Sequence, residues 1–211
     1  MYQEIQFHPC YLLDRRRTLA NNKVFILPSE DLYLLGALNS PLLWWHNWRF
    51  LPHMKDEALS PVGFLMENLP IARSTPKIRQ SVEIAVQRLL DIAGEQQTGR
   101  RDVLDWLRVE YAVAKPSQKL QDVPTLTPDA LVDEVKKARG KMNPLTVAGL
   151  KALREEHGRS IVPMQTLAAQ ARTLERQVAD LVNAAYGLTP EEAALMWKTA
   201  PPRMPGEAPT T

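Results

Sequence analysis

The chain has 211 residues, 45% of them hydrophobic and 24% charged, and a net charge of +2. That balance fits an ordinary globular fold, with room for one good domain or a small domain plus an appendage. It leaves no apolar run of the length a membrane span needs, and it lacks the basic bias usual in a free-standing DNA-binding protein.

The N-terminal residues carry an early acid and no basic leader, so no secretory signal is expected. The lone Cys10 allows no internal disulfide and suits a reducing cytoplasm. It reads as a small buried hydrophobe. Four scattered histidines show no metal-ligand spacing, so no metal is expected.

Residues 2–13 alternate loosely and predict a strand or an irregular strand pair. The polar stretch 14–22 ends in Asn21-Asn22, a turn signal. Residues 23–28, ended by Pro28, read as a second strand. Ser29 is a candidate N-cap, with Glu30 and Asp31 complementing the dipole of a helix over 31–39. Ser40-Pro41 opens a second helix over 41–50. That helix holds Trp44 and Trp48 one turn apart, with Trp45 facing the side of Arg49. The apolar run 63–71 predicts a strand entering a loop.

The composition changes near Pro70, and helices follow. Thr75-Pro76 opens one through 78–95. Another runs over 100–114 and ends at Pro116. Thr127-Pro128-Asp129 caps 130–140, and Asn143-Pro144 caps 145–158. Met164 to Tyr186 is the clearest amphipathic helix, with Leu167, Ala171, Leu174, Val178, Leu181 and Ala185 on one stripe. Its role is core for the helical half, or one member of an antiparallel pair. Gly187 fits the left-handed C′ position. Thr189-Pro190-Glu191-Glu192 is a capping box opening a last helix to about Thr199. The proline-rich residues 200–211 predict a disordered tail.

The expected fold class is α+β and mainly helical: a small mixed strand and helix region (1–72), a helical region (73–199) and the tail (200–211). No Gly-rich phosphate loop is present, since Gly36, Gly63, Gly94 and Gly99 form no G-x-G pattern. Asp102, Asp105 and Glu155-Glu156-His157 have no nucleophile at a meaningful spacing, so no catalytic residue is expected in this chain.

Two stretches bear a resemblance. Residues 31–45, "DLYLLGALNSPLLWW", with "GFLMENLPI" at 63–71, resemble the signature of the TaqI-like C-terminal specificity domain. Residues 174–205, "LERQVADLVNAAYGLTPEEAALMWKTAPPRMP", resemble the C-terminus of large bacterial restriction–modification methyltransferases of that group. The likeness spans roughly 25–71 and 170–204. It implies a DNA target recognition module attached to an N-terminal, S-adenosylmethionine-dependent adenine methyltransferase domain, with or without endonuclease activity. The setting would be a type II system of bacterial defence in the cytoplasm. The methyltransferase itself needs an (Asn/Asp)-Pro-Pro-aromatic motif to hold the flipped base. Here Asn143-Pro144-Leu145 lacks the second proline and the aromatic residue. The chain is therefore expected to read double-stranded DNA for chemistry performed elsewhere, with no cofactor of its own.

The candidate contacts follow from residue chemistry. Arg15, Arg16, Arg17, Asn21, Asn22 and Lys23 form the densest cationic polar stretch. Arginine suits guanine, asparagine suits adenine, and all the cations suit phosphate. By residue type alone, a solvated turn is an equal reading; the resemblance favours DNA. His46, Arg49 and Lys55, with His53 nearby, form a second cluster that reads as phosphate contacts or as plain surface. The tryptophans read as core, sandwiched between sheet and helices, or as a stacking or docking face. The basic runs Gly99-Arg100-Arg101 and 136–141 read as cations at helix positions, the second favoured by the dipole at a helix end, or as backbone contacts. The alternative from another class is a protein–protein adaptor that binds a partner subunit through the Trp-rich and amphipathic helices.

Overall fold

A computed structural model describes residues 1–15, 18–140 and 144–206. Tyr2–Gln3 (β1) and Val24–Phe25 (β2) pair antiparallel, Tyr2 opposite Phe25 and Gln3 opposite Val24. Both strands are far shorter than the alternating runs around them.

The first helix, α1 (Leu32–Leu38), is capped by Asp31, whose carboxylate accepts from the amides of Tyr33 and Leu34. Ser29, the expected cap, instead accepts the amide of Asp31 one step earlier. Ser40 and Pro41 start α2 (Pro41–Phe50) as expected, with Ser40 Oγ accepting from the Leu43 amide. A hairpin absent from the sequence reading follows: His53–Met54 (β3) and Ala58–Leu59 (β4), joined by a tight 3-10 turn at Lys55–Glu57.

The run at 63–71 is not a strand. Gly63–Met66 forms a single helical turn (α3), and the chain then runs irregularly to Pro76. The two helices expected over 78–95 and 100–114 are one, α4 (Pro76–Tyr111, 36 residues). Gly94 and Gly99 sit inside it without breaking it.

After α4 come the short α5 (Gln118–Gln121) and a 3-10 turn at Val123–Thr125. Thr127 then caps α6 (Pro128–Arg139). The cap of α7 (Val147–Glu156) is Thr146, whose hydroxyl accepts from the Gly149 amide. Asn143, expected in that role, lies outside the described residues. A π-helical turn, His157–Ile161, leads directly into α8 (Val162–Ala185). Gly187 has φ +70, and the Thr189–Glu192 capping box starts α9 (Pro190–Lys198).

The chain is thus mainly helical α+β. It divides into two compact units, Met1–Leu89 with Thr173–Thr211, and Leu90–Arg172. The division falls inside α4 and α8 rather than at the change of composition near Pro70.

Among the described residues, the first unit has three small cores. Tyr33, Val82, Ala85, Val86, Val178 and Val182 pack α1 against the start of α4 and the end of α8. The approach is close: a Cβ on Gly36 would lie 2.8 Å from Val86 Cγ2. Tyr2, Tyr11, Leu38 and Met66 form the second core, and Trp44, Leu51 and Leu59 the third. Four of the six stripe residues, Leu174, Val178, Leu181 and Ala185, belong to the α1–α4–α8 cluster, which includes α1 and so is not a core of the helical half alone.

Among the described residues the second unit has one core, mostly aliphatic but including Tyr111 and Trp106. Val103, Leu107, Leu120, Leu131, Val135, Leu153 and Ile161 bring α4, α5, α6, α7 and the π turn together. His157 is buried there and its Nε2 donates to the Leu126 carbonyl at 2.8 Å. A buried imidazole with a hydrogen-bond partner is a stable core member.

Residues 200–206, expected as tail, are packed on the first unit. Pro201 is buried and Met204 joins the Trp44 core. Residues 207–211 lie outside the described residues.

Candidate functional site

The polar segment at 14–23 is held at both ends. Asn39, on the last turn of α1, clamps Tyr11 in both directions: its Oδ1 accepts the Tyr11 amide and its Nδ2 donates to the Tyr11 carbonyl. The Met1 ammonium donates to the Leu12 carbonyl at 2.8 Å. At the other end the Glu4 amide donates to the Lys23 carbonyl, continuing the β1–β2 pairing.

Between these anchors Arg15 and residues 18–23 are turned outward. Asp14 Oδ2 accepts the Thr18 amide at 2.7 Å, and Asn21 Oδ1 accepts the Lys23 amide at 2.9 Å. Arg15 and every residue from Thr18 to Lys23 are exposed, Leu19 at 97%. Arg16 and Arg17 lie outside the described residues.

The expected members of this loop do not all share one role. Asn21 shapes the turn with its own side chain. Lys23 pairs with Glu4 at 2.7 Å, so its charge is partly answered within the chain. Arg15 and Asn22 are the described side chains that face water with the chemistry for base edges or phosphates.

The second cluster is engaged in the fold. Arg49 donates to the carbonyls of Trp45 and Thr199 at 2.8 and 3.1 Å, and its guanidinium lies 3.7 Å over the Trp45 ring. His46 stacks on Phe50 at 4.4 Å. His53 Nε2 donates to the Trp48 carbonyl at 2.7 Å. Lys55 is exposed in the turn of the β3–β4 hairpin. Phosphate contact by Arg49 would have to displace three existing interactions.

The tryptophans brace this unit. Trp44 is 1% exposed, tilted against Trp48, and packed with Leu51 and Leu59. Its indole N–H donates to the Pro202 carbonyl at 3.0 Å, and that of Trp45 donates to Thr199 Oγ1 at 2.9 Å. Their cover is therefore β4 and the C-terminal segment, not a sheet on one side and the helical half on the other. Sequence spacing along α2 placed Trp45 beside Arg49, but nothing local pointed to Thr199, Pro202 or Arg203.

Four cations of the basic runs are paired with acids, while Arg139 Nε is buried without a hydrogen-bond partner. Arg100 meets Asp122 at 3.2 Å, Arg101 meets Asp102 at 3.6 Å, Lys136 meets Asp133 at 3.7 Å and Lys137 meets Glu134 at 2.8 Å. Lys141 lies outside the described residues. Bonds from Lys137 and Ser117 hold the Glu134 carboxyl below its ordinary value. Glu155 pairs with Lys151, and Glu156 with Arg159 and Ser160. Cys10 is half-buried, and burial pushes its thiol pKa up.

A hollow bounded by Met1, Tyr11, Leu12, Leu27, Leu35 and Leu38 has about 30 Å³ of room. Small-molecule sites commonly measure about 300–1,000 Å³. Among the described residues, no helix is long and apolar enough to cross a membrane.

No curated protein and no solved structure matches the chain. A family match covers residues 75–182, from the residue before α4 into α8, and leaves the loop at 14–23 and the whole of α2 outside it. That match takes in just over half of the sequence, and the chain belongs to the family described as Domain of unknown function (DUF8810).

Proposed function

We propose that the chain is a DNA target recognition module, the C-terminal part of a cytoplasmic restriction–modification adenine methyltransferase whose chemistry and S-adenosylmethionine site lie in another domain. One observation carries the reading. The two stretches that resemble specificity-domain methyltransferases, 25–71 and 170–204, fall almost wholly in one compact unit. They are joined there by direct bonds, among them Tyr186 Oη to the Pro70 carbonyl at 2.7 Å and Trp44 to Pro202. The same unit exposes Arg15 and residues 18–23.

In this reading the loop meets the duplex. Arg15, with Arg16 and Arg17 beside it in sequence, supplies phosphate attraction and guanine-type donors, and Asn22 a bidentate edge for adenine. The paired clusters on α2, α4 and α6 are scaffold. A protein–protein adaptor is the second reading, and exposed apolar side chains in the first unit favour it, among them Phe50 and Phe64 at 66% and 67%.

The test is duplex binding by fluorescence anisotropy at two salt concentrations, with Arg15, Arg16 and Arg17 changed together to alanine. Each lost phosphate contact should lower the slope of log affinity against log salt by about 0.9. Binding that is absent, or indifferent both to salt and to the triple change, would favour the adaptor.

A further inference from the structure

Three strained residues meet at one contact. Asp56 and Glu57, in the β3–β4 turn, each have φ 60, and Arg203 has φ 55. These are left-handed conformations that a side chain with a Cβ rarely adopts unless its surroundings hold it there. The Arg203 guanidinium donates to the carbonyls of both Asp56 and Glu57, at 3.2 and 3.5 Å. It also lies 5.2 Å from the centre of the Phe7 ring.

Around that contact, residues 199–206 form a strap with anchors along its length. Thr199 accepts from Trp45 through its hydroxyl and from Arg49 through its carbonyl. Pro201 is buried, and the Pro202 carbonyl takes the Trp44 indole N–H. The Met204 amide donates to the Pro201 carbonyl at 3.4 Å, closing a turn with proline second and a positive φ third. Met204 enters the Trp44 core, and Gly206 lies against Trp197 and Pro41.

Folded domains take up proline-rich segments on aromatic-lined surfaces. Here the Trp44 indole N–H holds the Pro202 carbonyl, and the next residue, Arg203, is held by two backbone carbonyls of the hairpin. The hairpin offers these two carbonyls, those of Asp56 and Glu57, to one guanidinium nitrogen.

We propose that α2 and the β3–β4 hairpin form a receptor for a Pro-Pro-Arg turn, which the chain fills with its own residues 199–206, and that a partner polypeptide carrying Pro-Pro-Arg enters when this strap lifts. The strap then acts as a competing ligand in cis. A partner's apparent affinity is scaled by the fraction of molecules with the strap open. This inference does not depend on DNA binding.

The experiment uses the full chain and a fluorescein-labelled synthetic peptide, Thr-Ala-Pro-Pro-Arg-Met-Pro-Gly. The strap is loosened by Pro202→Gly with Arg203→Ala, and the fold is checked by circular dichroism and a cooperative melt. The loosened chain should bind the peptide at least about tenfold more tightly than the unaltered chain. A control peptide with alanine in place of arginine should bind about tenfold more weakly, and Phe7→Ala should weaken the arginine peptide alone. If the double variant does not fold, Arg203→Ala by itself carries the same comparison. A folded, loosened chain that takes up no peptide overturns the proposal. So does one that takes both peptides equally, or one that pairs into a dimer closed to peptide.

Discussion

The two units are assembled in opposite ways. The second, Leu90–Arg172, is one uninterrupted stretch around a single, mostly aliphatic core among the described residues. The first gathers residues from both ends of the chain and holds them with side-chain bonds to distant carbonyls. Tyr33 reaches Ala72, Trp44 reaches Pro202, Arg49 reaches Thr199, and Tyr186 reaches Pro70. A contiguous unit is specified mostly by local periodicity. A discontinuous one depends on a few long-range anchors, each of which is a point of failure, and the candidate loop and the strap both belong to the unit built that way.

The sharpest way to break this contrast is Trp44→Ala. The change removes a side chain that is 1% exposed and should cost about 3–5 kcal/mol. Hydrogen exchange resolved by segment should show α1, α2 and α9 losing protection while α6 and α7 keep theirs. Equal loss in all of them would mean that the division into units has no energetic content.

A pair of glycines gives a finer test. In α1, Gly36→Ala would push a methyl to 2.8 Å from Val86 and 3.0 Å from Val82, and should destabilise by about 1–3 kcal/mol. In α4, on the side of the second unit, a Cβ on Gly94 meets nothing within 4 Å, so Gly94→Ala should stabilise by about 0.5–1 kcal/mol. Denaturant midpoints for the two variants should move in opposite directions.

The smallest effect is expected at Glu134. Its carboxyl is held below the ordinary value in the folded chain, so the stabilisation is present above that ordinary value. It is lost as pH falls through the depressed folded value. Glu134→Gln should therefore lower stability by a constant amount between pH 7 and 8, flatten the acid side of the profile, and approach the unaltered chain as pH falls. An unchanged acid limb in urea titrations would show that the Lys137 and Ser117 bonds do not act as described.

Much of the second unit was legible because its signals are local. Thr127-Pro128 declares the start of α6 from adjacent residues alone. The exception is α4, where Gly94 and Gly99 look like breaks. Neither breaks the helix: Gly94 faces open space, and Gly99 leaves room for Met164 Sδ, which a Cβ would meet at 2.8 Å. In the first unit, Ser40-Pro41 and the Thr189 capping box were equally readable. The hairpin was not, because its turn uses positive φ at Asp56 and Glu57 rather than at glycine or asparagine. Gly63–Met66 has the short apolar composition of a strand, yet folds as one helical turn whose Met66 joins the Tyr2 and Tyr11 core.

The candidate site divides along the same line. An exposed polar loop at 14–23 could be read from composition. The engagement of Arg49 with Thr199 could not, since the partners are 150 positions apart. The proline-rich end shows the same limit, because its composition is that of a tail while its contacts are made by Trp44, Trp45 and the β3–β4 turn.

The most direct test of the DNA reading places a photoactivatable cross-linker on a cysteine at Asn22, in the loop of the first unit, or at Glu155, on an exposed face of the second, with Cys10 changed to serine in both. The account predicts salt-sensitive cross-linking to duplex DNA from position 22 and little from position 155. No cross-linking from 22, or equal yields from the two positions, would contradict it.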